Sequence, residues 1–261
     1  VHMSRGLGDV YKRQVRGYPA ESIVSFDMFG KKYLYPSLML VGFFYNAGVW
    51  ADKAMFWFYD GTGSDVIGPL RASLIYDIPV FLSYLSLIPG MAVFLVRMET
   101  DFVEYYSNFY DAVREGGSLS YIEDMRNQMV FVIRQGIFQI LKIQAISALV
   151  IMVAGAQIFN ALGISELYLP LLKVQLIATA LQVVFLAIIN VFCYLDQRRM
   201  LVLLTGLFFV LNVIFTGISL YLGPQFFGFG FLLALAVCVL LGLWLVSRKM
   251  AELEYSTFML N

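Results

Sequence analysis

Apolar runs long enough to cross a lipid bilayer recur along the whole sequence and limit the folds open to this chain. About 20 consecutive apolar residues span the hydrocarbon core as a helix. The runs are continuous rather than alternating, which excludes the strands of a membrane β-barrel. The composition agrees, because 60% of the residues are hydrophobic and 14% are charged, against about 25% charged in soluble domains. We predict an all-α membrane protein with six transmembrane helices, at about residues 33–59, 75–96, 136–162, 167–194, 200–222 and 226–246.

The positive charges predict how these spans are oriented. All but four of the 18 Lys and Arg residues lie in segments predicted to be on the same side of the membrane as the two termini. The exceptions are Arg71, in the loop after the first span, and Lys53, Lys142 and Lys173, which lie inside spans. Because cytoplasmic loops carry an excess of Lys and Arg, both termini are predicted to be cytoplasmic. The formal net charge of zero gives no indication of nucleic-acid binding.

The two ends of the chain differ from the apolar spans. Residues 1–14 are polar and basic without periodicity, and we interpret them as a non-native head. Residues 15–32 are predicted to be a cytoplasmic lead-in, and residues 251–261 a cytoplasmic tail. Within residues 1–32 we find no apolar segment of the kind that forms the centre of a signal peptide.

The first predicted span carries polar residues within its apolar run, namely Asn46, Asp52 and Lys53. An ionised group at membrane depth costs at least ~2.5–3.5 kcal/mol on insertion scales, so we expect these side chains to face a wet cavity or a partner. Asp52 can pair with Lys53 or with Lys173 of the fourth span, or take up a proton. Two interpretations stay open: a structural ion pair, and a coupling or gating pair near the outer mouth.

Polar residues of other spans form stripes, at spacings that place their side chains on one helix face. Amides, hydroxyls and aromatic rings around a cavity suit a polyhydroxylated, weakly charged solute. The alternative is hydrogen bonding between helices, worth only ~0.6 kcal/mol per bond. Together with the polar residues of the first span, these stripes are predicted to line a translocation cavity. Its candidate residues are Asn46, Asp52, Lys53, Asp77, Tyr84, Gln135, Gln139, Lys142, Lys173, Asn212 and Thr216.

Helix breakers and caps predict further boundaries. Pro79 and the Pro89-Gly90 pair predict a kinked or broken second span. Gly116-Gly117 is predicted to end the helix after it, and Ser120 with Glu123 has the spacing of a capping box that starts the next one.

A polar insert, residues 98–135, follows the second span and is predicted to be helical and cytoplasmic. Its apolar side chains form one amphipathic stripe: Phe102, Tyr105, Tyr106, Phe109, Tyr110 and Val113. The opposite face is acidic, whereas helices that lie on membranes are basic there. It is therefore either a docking element for a partner protein or a connector that covers the base of the bundle. The candidate docking residues are Glu99, Asp101, Glu104, Asp111 and Glu115.

Several chemistries lack the residues they need. The only histidine is His2, and Cys193 and Cys238 lie alone inside predicted spans. No nucleotide-binding loop, nucleophile elbow or HExxH motif is present, so ATP-driven transport by this chain is not supported. We expect no enzyme activity, no cofactor and no metal site.

Two segments carry a resemblance to a known family: YDIPVFLSYLSLIPGMAVFLVRMETDF, residues 76–102, and FCYLDQRRM, residues 192–200. With them the sequence resembles the PelG family of exopolysaccharide transporters, within the superfamily of MATE exporters and polysaccharide flippases, over about residues 15–261. The resemblance implies a twelve-helix exporter built of two six-helix lobes, of which this chain looks like the C-terminal lobe. It supplies no catalytic or binding residue.

The resemblance also implies a location, a substrate and partners. We expect export of a Pel-type exopolysaccharide across the bacterial inner membrane, by a chain surrounded by membrane lipid. The implied partners are the missing N-terminal lobe of the same protein, a cytosolic glycosyltransferase and inner-membrane synthase subunits that sense cyclic di-GMP. Two alternatives stay open: an ion-coupled drug or metabolite antiporter, and a non-transporting membrane scaffold for a polysaccharide synthase.

Overall fold

The structure is a computed structural model that describes residues 35–252. The chain divides into two compact units, residues 1–36 and 37–261, and every contact described below lies within the second. The predicted head and lead-in, and most of the predicted tail, lie outside the described residues. The helices are α1 (Pro36–Phe58), α2 (Leu74–Leu85), α3 (Leu87–Val96), α4 (Val103–Arg114), α5 (Leu119–Ala161), α6 (Leu169–Tyr194), α7 (Arg198–Leu222) and α8 (Phe229–Ala251).

Shorter elements connect these helices. A hairpin of β1 (Ser64–Ile67) and β2 (Leu70–Ala72), paired antiparallel, occupies the predicted loop after α1. A π-helical segment, Arg97–Phe102, joins α3 to α4 without a break, and short 3-10 turns precede α6 and α8.

Helix α6 is at the centre of the bundle. It is the most deeply buried of the long apolar helices, and it packs against α2, α3, α5 and α8. Helices α7 and α8 approach each other closely because Gly230 has no side chain: a Cβ atom there would lie 2.5 Å from the Thr216 nitrogen. Gly242 similarly brings α8 against Ile188 of α6. Small residues at such contacts are typical of helices that pack within membranes.

The second predicted span is broken, as its prolines indicate. It divides at Ser86 into α2 and α3, and α2 lies at 41° to the continuous helix that begins at Leu87. Pro89 is in the first turn of α3, where its missing N–H would otherwise have bonded the carbonyl of Leu85. At the break itself, the Ser86 N–H donates a hydrogen bond to the Ser83 carbonyl at 3.1 Å. Pro79 is buried within α2.

The third predicted span is part of a much longer helix. Helix α5 runs without interruption for 43 residues, or about 65 Å at 1.5 Å per residue. That is about twice the ~30 Å hydrocarbon core, so one end must project from the membrane. The predicted capping box of Ser120 and Glu123 is wrong, because Ser118 caps the helix by accepting a hydrogen bond from the Tyr121 N–H at 3.4 Å.

The predicted amphipathic stripe of the insert is confirmed. Phe102 and Phe109 are fully buried, and Tyr105, Tyr106, Tyr110 and Val113 pack around the same core. This stripe therefore attaches α4 to the base of the bundle.

Within residues 35–252, four helical segments are long and apolar enough to cross a membrane: Leu119–Ala161, Glu166–Tyr194, Arg198–Leu222 and Pro224–Ala251. The bent α2–α4 segment raises the number to five if it forms one span. Helix α1 has sufficient length, but its polar residues lower its mean hydropathy and it does not count among them. The chain is thus an all-α membrane protein.

Candidate functional site

A buried ion pair lies on α1. Asp52 is fully buried and Lys53 is 5% exposed, and the Lys53 Nζ lies 3.3 Å from Asp52 Oδ1. The same ammonium group donates a hydrogen bond to the Val49 carbonyl at 2.8 Å. Removing two charges from water costs several kcal/mol per ion unless other groups compensate them, so the surroundings of this pair decide whether it is stable.

Helices α2 and α6 supply the first compensation. The Tyr76 hydroxyl donates a hydrogen bond to Asp52 Oδ2 at 2.5 Å. It accepts one in turn from Gln175 Nε2 at 2.7 Å. Tyr76 and Gln175 are both buried. A continuous chain of hydrogen bonds therefore joins α1, α2 and α6.

Helix α7 supplies the second compensation. Asn212 Nδ2 donates to the Gly48 carbonyl at 2.7 Å and lies 3.4 Å from Asp52 Oδ1. Thr216 Oγ1 donates to Asn212 Oδ1 at 2.9 Å and so fixes the orientation of the amide. The Asp52 carboxylate thus receives hydrogen bonds from three side chains, and we call these six residues the polar network: Asp52, Lys53, Tyr76, Gln175, Asn212 and Thr216.

Aromatic rings enclose the polar network. Phe56 stacks on Tyr76 with ring centroids 3.8 Å apart. The Lys53 Nζ lies 5.3 Å from the ring centroid of Tyr84 and 5.0 Å from that of Phe231, within the range of a cation–π contact. Exclusion of water by these rings strengthens every charge interaction inside them.

A cavity of about 760 Å³ lies next to the polar network, at the end of the bundle that carries the β-hairpin. Its wall includes Phe227, which packs edge-on against Phe56 at a centroid distance of 4.9 Å. Phe56 in turn covers Tyr76. The rings of Phe227 and Phe56 therefore lie between the cavity and the hydrogen bonds of Asp52. The cavity also exposes Tyr59, Tyr168 and Phe229, which present flat apolar faces.

A comparison with family models identifies the family of this chain. A family model described as "PelG: Putative exopolysaccharide Exporter (EPS-E)" matches residues 11–258. The chain belongs to the PelG family. A search of curated proteins and a search of solved structures found no match.

The PelG family is one of exporters rather than enzymes, in agreement with the expectation of no enzyme activity. The match covers most of the chain and does not bear out the narrower expectation that the chain is the C-terminal half of the exporter. It supports neither the antiporter nor the scaffold alternative.

For this PelG-family chain, the structure brings together part of the predicted cavity set. Asp52, Lys53, Asn212 and Thr216 meet in the polar network, and Tyr84 lies beside it. Asp77 lies elsewhere, because its carboxylate accepts from Trp57 Nε1 at 2.9 Å and from the Ser73 N–H at 3.0 Å.

The remaining predicted cavity residues do not reach the polar network. Asn46 is exposed and donates to the Gly42 carbonyl of its own helix at 2.8 Å. Lys173 and Gln135 are exposed. Gln139 bonds to Arg97, and the Lys142 Nζ lies 4.2 Å from the Phe138 ring centroid. The structure therefore does not bring these residues to the polar network, and their place in one translocation cavity stays a prediction.

The predicted docking residues also divide. Glu99 accepts from Asn190 Nδ2 at 2.8 Å and from the Tyr194 hydroxyl at 3.0 Å, so it attaches the π-helical segment to α6. Asp101 pairs with Arg97.

The other three acidic residues, Glu104, Asp111 and Glu115, are exposed on α4. Asp111 lies 3.3 Å from Arg114. The acidic face available to a partner is therefore smaller than the sequence indicates.

Sequence reasoning missed Tyr76 and Gln175. A signal for Gln175 exists, because Gln175, Thr179 and Gln182 recur at i, i+4 and i+7, and all three are buried on one face of α6. Nothing in the sequence distinguishes Tyr76 from the other tyrosines. Among the described residues, no cluster of His, Cys, Asp and Glu could hold a metal ion.

Proposed function

We propose that this chain exports exopolysaccharide from the cytosol to the periplasm across the bacterial inner membrane. Its family supports an export role, and the observation that carries the proposal is the polar network buried around Asp52 and Lys53. Charged groups inside a membrane protein are expensive and mark transport pathways by default. A bundle held together only by packing would not need them.

The proposed architecture has six spans, in one lobe of a two-lobed MATE-like transporter with both termini in the cytoplasm. Helix α1 is the span that hydropathy alone leaves out. Its charges are buried inside the bundle, whereas its exposed side chains include Met39, Phe43 and Trp50. An apolar outer face and a compensated inner charge lower the cost of inserting α1.

The proposed role of the polar network is gating. Movement of α1 away from α7 breaks the bonds of Asn212 to Gly48 and Asp52, and movement away from α2 breaks the bond from Tyr76. A polyhydroxylated polymer offers donors and acceptors that replace these bonds, whereas an apolar solute would leave them unsatisfied. The network therefore favours opening in the presence of a sugar polymer.

The adjacent cavity fits the exit side of such a path. Tyr59, Tyr168 and Phe229 line it, and flat aromatic faces suit the apolar faces of sugar rings. The ring pair of Phe56 and Phe227 is the proposed barrier between this cavity and the polar network.

The test uses a neutral version of the ion pair in the full-length protein in its native host. Asp52→Asn combined with Lys53→Met removes both charges, so neither is left buried and unpaired. We expect secreted polymer to fall at least tenfold while membrane abundance of the protein stays normal. Asp65→Asn, on the exposed hairpin, is the matched control. Normal secretion by the double variant would show that the ion pair is structural.

A scaffold function is the second candidate, because Glu104, Asp111 and Glu115 remain exposed on α4. Such a face suits a basic surface of a glycosyltransferase or of an inner-membrane synthase subunit. The two functions separate in the double variant: an exporter loses secretion while the synthase stays at the membrane, and a scaffold keeps both.

A further inference from the structure

The break between α2 and α3 bonds to a polar side chain of α5. Gln144 Nε2 donates a hydrogen bond to Ser86 Oγ at 3.1 Å. The Ser86 hydroxyl in turn donates to the Ser83 carbonyl at 2.6 Å. Ser83, Ser86 and Gln144 are at most 1% exposed. Helix α5 is therefore bonded to the break itself.

The oxygen of the Gln144 amide has no partner. This Oε1 atom is buried and makes no hydrogen bond within residues 35–252, and a buried polar atom without a partner costs free energy. The amide also needs a glycine in α3, because a Cβ atom at Gly90 would lie 2.1 Å from Oε1. Glycine inside a helix is itself unfavourable. Both features lower stability, so they indicate that the contact with Ser86 serves the position of the helices rather than the stability of the fold.

The backbone at the break is able to bend. Pro89 has no N–H, so the Leu85 carbonyl lacks the donor that a continuous helix would supply. Helices kink at such interruptions of their hydrogen bonds, and hinges are a few residues at helix ends that take up changes in backbone angles. Ser86 lies between the end of α2 at Leu85 and the start of α3 at Leu87. It therefore has the position of a hinge about which α2 rotates.

Rotation about Ser86 affects the polar network through Tyr76. Tyr76 precedes Ser86 by ten residues, which corresponds to about 15 Å along α2 at 1.5 Å per residue. A rotation of α2 by about 10° therefore moves Tyr76 by about 3 Å. That displacement is enough to break the hydrogen bond from Tyr76 to Asp52, whose length is 2.5 Å.

We propose that Gln144 holds the hinge at Ser86 in the position that brings the Tyr76 hydroxyl to the Asp52 carboxylate. Gln144 is then a positioning residue of the polar network, since within residues 35–252 it bonds to Ser86 and to no member of the network. When the bond between Gln144 and Ser86 opens, α2 rotates and Tyr76 leaves Asp52. Gly90 supports the bonded position by leaving room for the amide. The effect on secretion rests on the proposed gating role, whereas the position of α2 does not.

The test measures one distance at the hairpin end of the bundle in the purified full-length protein. Spin labels on Leu74→Cys and Tyr221→Cys mark the start of α2 and the end of α7, and both positions are exposed. Cys193→Ala removes the exposed native thiol, while Cys238 is buried. Pulsed electron paramagnetic resonance then gives the distance distribution. We expect one main distance in this parent protein, and in Gln144→Ala a second distance whose population is raised about fivefold, as the loss of one hydrogen bond predicts.

Two glycine variants give a matched comparison. Gly90→Ala should raise the same second population, because its Cβ atom displaces the Gln144 amide from Ser86. Gly42→Ala is the control, since a Cβ atom there has nothing within 4 Å. In the Gln144→Ala background, Gly90→Ala should add no further change, because no amide is left to displace. Gln144→Ala introduces no clash, so it tests the hinge even if Gly90→Ala does not fold.

Secretion measured in cells separates this proposal from the proposed function. An unchanged distance distribution in Gln144→Ala, equal changes in Gly90→Ala and Gly42→Ala, or additive changes in the double variant would each overturn the hinge. A second distance together with reduced secretion at normal membrane abundance supports both proposals. A second distance with normal secretion supports the hinge and contradicts gating by the polar network.

Discussion

The Tyr76 hydroxyl of α2 lies 2.5 Å from the Asp52 carboxylate of α1, and this hydrogen bond connects two helices at the most buried charge of the protein. The same hydroxyl accepts from Gln175, so a third helix depends on it.

Tyr76→Phe should lower the free energy of unfolding by about 1–3 kcal/mol. The substitution leaves Gln175 Nε2 without its acceptor and the Asp52 carboxylate with one donor fewer, and buried polar groups without partners cost about that much. Thermal unfolding of the purified protein measures the effect. Tyr84→Phe is the matched control, since the buried Tyr84 hydroxyl makes no hydrogen bond of normal geometry within residues 35–252. Equal losses in the two variants would contradict the role given to Tyr76.

The two charges of the ion pair should be strongly coupled. Lys53→Met alone leaves Asp52 buried without its cation, which costs about 3–5 kcal/mol. Adding Asp52→Asn should recover much of that loss, because the uncompensated charge is then gone. A double-mutant cycle on thermal unfolding measures the coupling. Additive losses would show that the two charges do not stabilise each other.

Gly230→Ala should lower the stability of the protein, whereas Gly217→Ala should raise it. A Cβ atom at Gly230 meets the Thr216 backbone at 2.5–2.6 Å, so α7 and α8 must separate, and such overpacking costs about 1–3 kcal/mol. A Cβ atom at Gly217 has only Met55 Cε within 4 Å, at 3.6 Å, and Ala gains up to about 1 kcal/mol in a helix. The unfolding temperature of each variant, compared with that of the wild type, shows whether the substitution stabilises or destabilises the protein. A stabilising Gly230→Ala would contradict the close contact.

Neutralising the exposed acidic residues of α4 should weaken partner association without lowering abundance of the chain. Glu104→Gln, Asp111→Asn and Glu115→Gln together remove the charge that a basic partner would contact. Co-purification of the synthase subunits measures the association, with Asp65→Asn as the control for loss of an exposed charge. Glu99→Gln should instead destabilise the chain, because Glu99 holds Asn190 and Tyr194. Undiminished co-purification would contradict the docking role.

The sequence predicts that Asp52 and Lys53 need a wet cavity or a partner, because the cost of a charge at membrane depth can be read from one helix alone. It leaves open whether Asp52 pairs with Lys53 or with Lys173, or takes up a proton. It does not predict Tyr76 as the partner of Asp52, since that contact depends on how α2 packs against α1. Gln175 is an intermediate case. Its spacing with Gln182 predicts that both lie on one face of α6, but the sequence does not predict that Gln175 bonds to Tyr76.

The boundary predicted at Gly136 shows a different limit. The change from polar to apolar residues there predicts where the membrane begins, whereas α5 continues through this position as one helix. The sequence contains no proline between Leu119 and Ala161 to end the helix. Gly136 itself is needed for close packing, because a Cβ atom there would meet Met98 Cε at 2.7 Å. Polarity therefore predicts environment, and helix breakers predict helix ends.

Because α5 is long and unbroken, a movement at one of its ends is transmitted to the other. A helix without a proline or other break transmits a tilt from one end to the other. A rotation of about 5° displaces one end of a 65 Å rod by about 6 Å relative to the other. A protein that pulls on the end of α5 that projects from the membrane would thereby shift groups in the membrane without contacting any of them.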